Sequence, residues 1–360
     1  MIELLRNKQY TLSDIQKLKQ KAHVVVDHID IWLSNLFEVT HPEFLYHKDR
    51  LKKQAQFIES HLKSMKRKDL YGSWAYYKGN STLVHVLNKK DYFTVLTARN
   101  HDVFTENEHK LLRTKRIGII GQSVGGNVAV VAAHAGAGKL SIADFDRLEG
   151  TNLNRVLFGS AVDVGRQKID IVTDTVLQVN PYIDIRTFDS GLSKKNIGNF
   201  FKNIDIVVEL CDDFPIKILA RREAKKRKIP LIMTTSLGRW LLVDVERYDL
   251  DSRTNSFNGL VEGDILEDIE QGKISLEDMK KYSRDLVGTK NIDPRAFRSL
   301  TKIAVKKGLA GRPQVISTVA INAGVTLHCL IWCLGGFPEH GKLKSGRRLI
   351  RIDNLLVKDV

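Results

Sequence analysis

The residues with the clearest capacity for chemistry lie in a glycine-rich GQSVGG at 121–126, in DFDRLEGTNLNR at 144–155, in DVGRQK ending at Lys168, and in ELCDDF around Asp212 and Asp213. A glycine-rich turn between a strand and a helix lets phosphate approach backbone N–H groups. Gly121, Gly125 and Gly126 are therefore candidate nucleotide contacts, and Ser123 stands where the dinucleotide fingerprint has its second glycine. Alone, that turn suits NAD, FAD, S-adenosylmethionine or ATP. Asp144, expected at a strand's end, is placed to accept from ribose hydroxyls, which also suits several nucleotides.

The basic residues narrow the chemistry. Hydride transfer breaks no phosphate bond and needs no cation pair there. In adenylation a carboxylate attacks the α-phosphate, and negative charge moves onto departing pyrophosphate. Preorganised Arg and Lys stabilise such charge. Arg155 and Lys168 are the candidates, and Asp212 or Asp213 can hold Mg²⁺ through a strand-end carboxylate.

The elements that must position these groups alternate from Arg116 onward. RIGIIG, KLSIADFD, DIRTFD, IDIVVELCD and IPLIMTTS read as strands, separated by helical or loop segments. That order predicts a doubly wound α/β fold with a parallel sheet and ligand at the strands' carboxyl ends. WLLVDVERYDL and RRLIRIDNLLV each read as one further strand, and 263–307 as a charged, mainly helical insert.

Upstream, 11–68 reads as two helices, the second starting at Pro42, followed by a β-hairpin of SWAYYK and TLVHVL. Thr105 and Glu108 form a capping box for the next helix. The expected division is a helical and hairpin appendage over 1–110 and the nucleotide domain over 111–360.

Composition limits the context. The net charge of +15 favours an anionic partner, although Lys and Arg are scattered without aromatic interleaving. No N-terminal segment has the apolar core of a signal peptide. The apolar run 315–334 carries Ser317, Thr318, Asn322, Thr326 and His328, so a core helix is expected rather than a membrane span. Three cysteines and no C-x-x-C pair predict a reducing cytoplasmic setting without a four-cysteine zinc site.

Taken in order, the glycine turn, DFD…NLNR, VG..K, the NP at 180–181 and the acidic strand end resemble the ThiF/MoeB superfamily, the adenylation fold shared with ubiquitin-activating enzymes. The resemblance covers roughly 99–236 and, more loosely, the C-terminal apolar helix. It implies a Rossmann-like sheet, ATP with Mg²⁺, and a homodimer. It implies that Asp144 binds ribose, that Asn152 lies on the phosphate side, that Arg155 and Lys168 hold phosphates, and that Asp212 holds magnesium. ARNHDVF resembles the family's upstream arginine segment, making Arg99 a candidate finger reaching the partner subunit's ATP. Its spacing to Gly121 is shorter than usual.

The departures also bear on function. Thioester-forming members place a cysteine in a segment where this chain has none between Cys211 and Cys329, and the zinc cysteines of sulfur-carrier activators are absent. Direct transfer or dehydration is therefore expected. Two kinds of relative work so: enzymes that activate carboxylates on ribosomal peptides, as for microcin C and pantocin, and a dehydratase acting on a carboxylated base of transfer RNA. A peptide carboxylate is the leading expectation, with an exposed hairpin edge as the site of strand addition. A tRNA base or a metabolite comes second. A nucleotide-dependent binding module or an NAD(P)/FAD oxidoreductase are the other classes.

Overall fold

The computed structural model describes residues 2–63, 67–260, 265–271, 273–275, 278, 282, 285–304 and 312–359. Parts of the 263–307 insert, including 263–264 and 305–307, lie outside them. The chain forms two compact units. The first holds 1–109, 133–136 and 173–183, and the second holds 110–132, 137–172 and 184–360.

In the first unit, β1 (Ile2–Leu5), β3 (Ser73–Tyr77), β4 (Thr82–Val86) and β2 (Val24–Asp27) form a sheet in that order. The β3–β4 hairpin is present as expected. It occupies the centre of the sheet, however, so the edges open to strand addition belong to β1 and β2, not to the hairpin. The expected first long helix is also divided. α1 (Leu12–Lys21) ends at Ala22, and α2 (Ile29–Thr40) begins after β2. The cause is the run Val24–Val25–Val26, whose branched side chains favour extended backbone and which pairs in parallel with β4. Pro42 opens a short 3₁₀ turn, and α3 starts later, at Arg50–Lys63.

Side-chain alternation along the strands separates two layers. Ile15 and Leu18 of α1 pack with Trp74, Tyr76 and Leu83. Ile29, Leu33 and Leu36 of α2 pack with Val86 and with Tyr92 and Phe93 of α4 (Lys89–Leu96). The Thr105–Glu108 capping box opens α5 (Glu106–Thr114) as expected, with bonds of 2.8 and 3.3 Å.

The second unit is built on β5 (Arg116–Ile120), β6 (Lys139–Ala143), β7 (Asp184–Phe188), β8 (Ile206–Glu209), β9 (Leu231–Leu237), β10 (Trp240–Glu246), β11 (Gly346–Arg351) and β12 (Leu356–Asp359). Their order is β12-β11-β10-β9-β8-β5-β6-β7. The five strands from β7 to β9 run parallel, and β10 to β12 continue antiparallel. The C-terminal segment read as one strand is thus two, because the chain reverses around Leu355, which takes a positive φ of 56°.

The helices of the parallel part are α6 (Val124–His134), α7 (Lys168–Val179), α8 (Ile197–Phe200) and α9 (Phe214–Arg227). The insert contributes α10 (Ile265–Glu270) and α11 (Pro294–Ala304), and α12 (Ile316–Cys333) follows. Leu231 and Met233 of β9 pack with residues of α8 and α9. The alternate residues Thr234 and Ser236 meet α12 on the other face: Thr234 donates to Asn322 at 2.7 Å, and Asn322 donates to Ser236 at 3.2 Å. α12 is long and apolar enough to cross a membrane by length and composition, and half of it is buried. Its Thr318–Asn322–Thr326 stripe is spent on hydrogen bonds to the β9 strand and the turn after it.

Beneath β8 and β10 lies a buried ionic cluster. Arg221 of α9 reaches Glu209 at 3.0 Å and Glu246 at 2.8 Å, and all three side chains are fully buried. Tyr248 donates to Glu246. Burial raises the Glu246 carboxyl to about 7, opposed by Arg221 and reinforced by Asp244. A carboxyl raised on folding binds its proton more tightly in the native state, so stability is fullest below the ordinary value near 4.5 and falls as pH rises through 7. The urea midpoint should therefore fall more steeply across that interval in the wild type than in Glu246→Gln. Equal slopes would remove Glu246 from this role.

Candidate active site

The carboxyl ends of β5, β6 and β8 meet where the strand order reverses about β5, the usual ligand position in such sheets. Gly121 leaves β5 with φ +85°, and a Cβ there would come within 2.9 Å of the Leu210 and Cys211 backbone. Glycine at this point lets the β8 exit loop, which carries Asp212, lie directly against the turn. Gly125 and Gly126 answer a different need. A Cβ on them would strike Ile119 at 2.8 Å and Phe158 at 2.4 Å, so their small size seats α6 on its neighbours. Ser123 is half-buried in the same turn.

Asp144 follows β6 and fastens this turn. One carboxylate oxygen accepts from the Gln122 N–H, and the other accepts from the Asp146 N–H at 2.7 Å. Burial raises its carboxyl, opposed by those two N–H groups and by Lys168. Each oxygen keeps a further lone pair for an outside donor such as a ribose hydroxyl.

Lys168, first residue of α7, is only 7% exposed and pairs with Asp146 at 2.8 Å. Its own N–H donates to the Asp146 carbonyl, so α7 starts at the loop leaving β6. Asn152 is buried, and its side-chain oxygen accepts from the Glu149 N–H at 3.2 Å. It thereby shapes the 3₁₀ turn that leads to Arg155.

Arg155 is held from both ends. Its guanidinium donates to the Thr151 carbonyl at 2.8 Å and to Asn154 at 3.0 Å, while its Nε is buried without a partner among the described residues. Its backbone carbonyl accepts from Asn127 at 2.9 Å, and Asn127 in turn accepts from the Leu157 N–H at 2.7 Å. Asn127 is fully buried in α6, and its only sequence signal is a lone amide in a Gly/Val/Ala helix. Burial lowers the Arg155 guanidinium, opposed by the charges of Asp212 and Glu149, which places Arg155 in the field of Asp212.

Asp212 and Asp213 divide their tasks. Asp213 caps α9 by accepting from the Ile216 N–H at 3.0 Å. Asp212 is 86% exposed and pairs with Arg312 at 3.0 Å. Arg312 precedes α12 in a segment anchored by Asn154, which donates to the Gln314 carbonyl at 2.9 Å. Nothing in its sequence setting marked Arg312, because its place depends on a contact a hundred residues away. Glu209 fixes the loop from below, accepting from the Cys211 N–H at 3.0 Å and from Lys217 at 2.8 Å.

No group of three metal-ligating side chains occurs among the described residues. One open carboxylate still fits Mg²⁺, which retains waters and is held largely through substrate phosphates. Burial pushes the Cys211 thiol well up, and raises Cys329 to about 11 and Cys333 to about 12. Arg99 belongs to the first unit, exposed on a short 3₁₀ turn, Ala98–Asn100.

Residues 97–257 match the ThiF family. An uncharacterized protein of Mycobacterium tuberculosis is 33% identical over 281 residues, covering 78% of this chain and 38% of that protein. The probable adenylyltransferase/sulfurtransferase MoeZ of the same organism is 31% identical over 116 residues, covering 32% and 30%. The chain thus spans well under half the length of these two relatives. The tRNA threonylcarbamoyladenosine dehydratase of Bacillus subtilis is 26% identical over 155 residues, covering 42% and 60%. Among solved structures, PaaA shares the fold at a TM-score of 0.52 with 16% identity, covering 89% of this chain and 88% of that one. E. coli MccB with ATP does so at 0.52 with 13% identity, covering 92% and 87%.

Proposed function

We infer that this chain, which carries a ThiF family domain across residues 97–257, uses ATP to adenylate a carboxylate. The observation that supports this is that Lys168 pairs with Asp146 after β6, and that Arg155 lies in the field of Asp212 after β8. The glycine turn receives the nucleotide and Asp144 takes its ribose. Asp212 would hold Mg²⁺, which would supply positive charge against the phosphates, and Arg312, released from Asp212, would add its own. Arg155 and Lys168 stabilise charge as the substrate carboxylate attacks the α-phosphorus and the bond to pyrophosphate breaks. Acyl-adenylate and pyrophosphate are the products.

A peptide carboxylate is the substrate proposed here. The basic charge of the chain and the open β1 and β2 edges of the first unit support it. The likeness of the whole chain to MccB, solved with ATP and also with AMPCPP and MccA, points the same way. The buried thiols, held protonated, favour direct attack on the acyl-adenylate or dehydration over a cysteine thioester. We place the enzyme in the cytoplasm as a homodimer, with Arg99 reaching the partner's ATP. The likeness to the B. subtilis dehydratase favours one second reading, activation of a tRNA base.

The test is exchange of labelled pyrophosphate into ATP in the presence of peptide, tRNA or small carboxylic acids. Exchange that depends on a peptide is the expected result. Asp212→Ala should lower it about a hundredfold, through lost placement of Mg²⁺. Tight NAD(P)H binding with no exchange for any carboxylate would sink the proposal.

A further inference from the structure

Within the first unit, a cavity of about 260 Å³ opens at the start of α4, lined by Arg6, Asn7, Ser73, Asn88, Lys89, Lys90 and Tyr182. Three of these carry positive charge and none carries negative charge. Arg6 and Lys90 make no ion pair among the described residues, although the chain has 42 carboxylates to offer. Cations left unpaired around a concavity are what an anionic guest requires.

The floor is buried and uncharged. Ser73 is 1% exposed and Tyr182 4%. The Asn7 N–H donates to the Ser73 hydroxyl at 3.1 Å, and Tyr182 donates to the Leu87 carbonyl. Burial raises the Tyr182 hydroxyl to about 12, so it stays neutral. The Asn88 side chain accepts from the Lys90 and Asp91 N–H groups at 3.1 and 3.2 Å, so these two donors of α4 are already satisfied. Its amide also holds the Asp91 carboxylate on the cap, at 2.6 Å. Binding would thus fall to side-chain cations, assisted by the positive end of the helix dipole.

Size and layout select the guest. The cavity is smaller than the roughly 300–1,000 Å³ of drug-sized pockets, which suits a single side-chain group. A nucleic acid backbone presents a line of phosphates and calls for a stripe of cations. Here the three cations border one small cavity. We propose that this cavity binds one carboxylate of the peptide substrate other than the one that is adenylated. The inference rests on the peptide reading above and adds to it a recognition site for an acidic residue or a chain terminus.

The experiment is fluorescence anisotropy of labelled hexaglutamate with the full chain, without ATP. Hexaglutamate should bind, and hexaglutamine should bind at least about tenfold more weakly, in line with the worth of charge-assisted hydrogen bonds. Arg6→Gln with Lys90→Gln should lose about tenfold or more. Lys226→Gln with Lys302→Gln removes equal charge elsewhere and should change affinity less than about twofold. Binding unaltered by the Arg6 and Lys90 changes would overturn the site, as would absence of hexaglutamate binding. So would displacement by a single-stranded RNA dodecamer whose own affinity falls with the same two changes. Because ATP is absent, failure here leaves adenylation untouched. Exchange that responds only to tRNA would reject the peptide reading independently.

Discussion

Arg155→Ala is expected to lower substrate-dependent pyrophosphate exchange by about a hundred- to a thousandfold, the usual cost of losing one preorganised donor from a developing charge. The loss should fall on the chemical step, because the backbone around Arg155 is fixed by Asn127 and not by the guanidinium itself. What alanine removes is two hydrogen bonds to Thr151 and Asn154 on a mostly exposed loop, so thermal unfolding should shift little. Arg155→Lys should recover only part of the activity. An ammonium supplies charge but not the planar fork that the proposed phosphate contact would use. Exchange within about threefold of wild type in Arg155→Ala would show that the departing pyrophosphate is stabilised elsewhere.

The second large effect concerns stability. Arg221→Met should cost about 3–5 kcal/mol, the range for removing one member of a buried ionic cluster. Burial favours the neutral form of Glu209, yet Lys217 and Arg221 hold its carboxyl below the ordinary range. Without Arg221, Glu209 keeps one cation and Glu246 keeps none within its cluster. The guanidinium also lies 3.6 Å from the centre of the Phe257 ring, a contact that methionine replaces only in part. Lysine cannot substitute, since Nη1 serves Glu209 while Nε serves Glu246. Chemical denaturation measures the loss. Arg221→Met combined with Glu246→Gln should be less destabilised than the sum of the single changes, because the two side chains interact directly and each single change already removes that pair. A loss below about 1 kcal/mol in Arg221→Met, or strict additivity in the pair, would contradict this account.

The two effects meet at Glu209. This carboxylate anchors the Cys211 N–H, and the next residue is the open Asp212. The buried cluster therefore also positions the loop proposed to hold Mg²⁺, through the Glu209 carboxylate that Arg221 pairs with.

Local order made much of this legible from the chain itself. Strand–glycine turn–helix alternation follows from periodicity and from residues whose preferred backbone is local, and it predicted the parallel strands from β5 to β9. The same is true of the Thr105–Glu108 cap, whose two partners lie one helical turn apart. Asp144, Arg155, Lys168 and Asp212 were visible because each sits in a short motif at a strand or helix boundary. The structure adds how the neighbouring aspartates differ: Asp213 caps α9, while Asp212 pairs with Arg312.

Tertiary structure decided what depends on distant partners. Val24–Asp27 sits between helical patterns and becomes a strand only because β4 offers it a ladder. The hairpin's apparent free edge vanished when β1 and β2 paired on either side of it. Arg312, Asn127 and the Arg6–Lys90 cavity owe their roles to contacts across many residues, where no spacing rule operates. Sequence by itself determined which groups can do the chemistry, because backbone preference and charge are properties of each residue. Which of those groups are left unspent was settled only by the fold, because hydrogen bonds and ion pairs are completed by whatever the packing brings alongside.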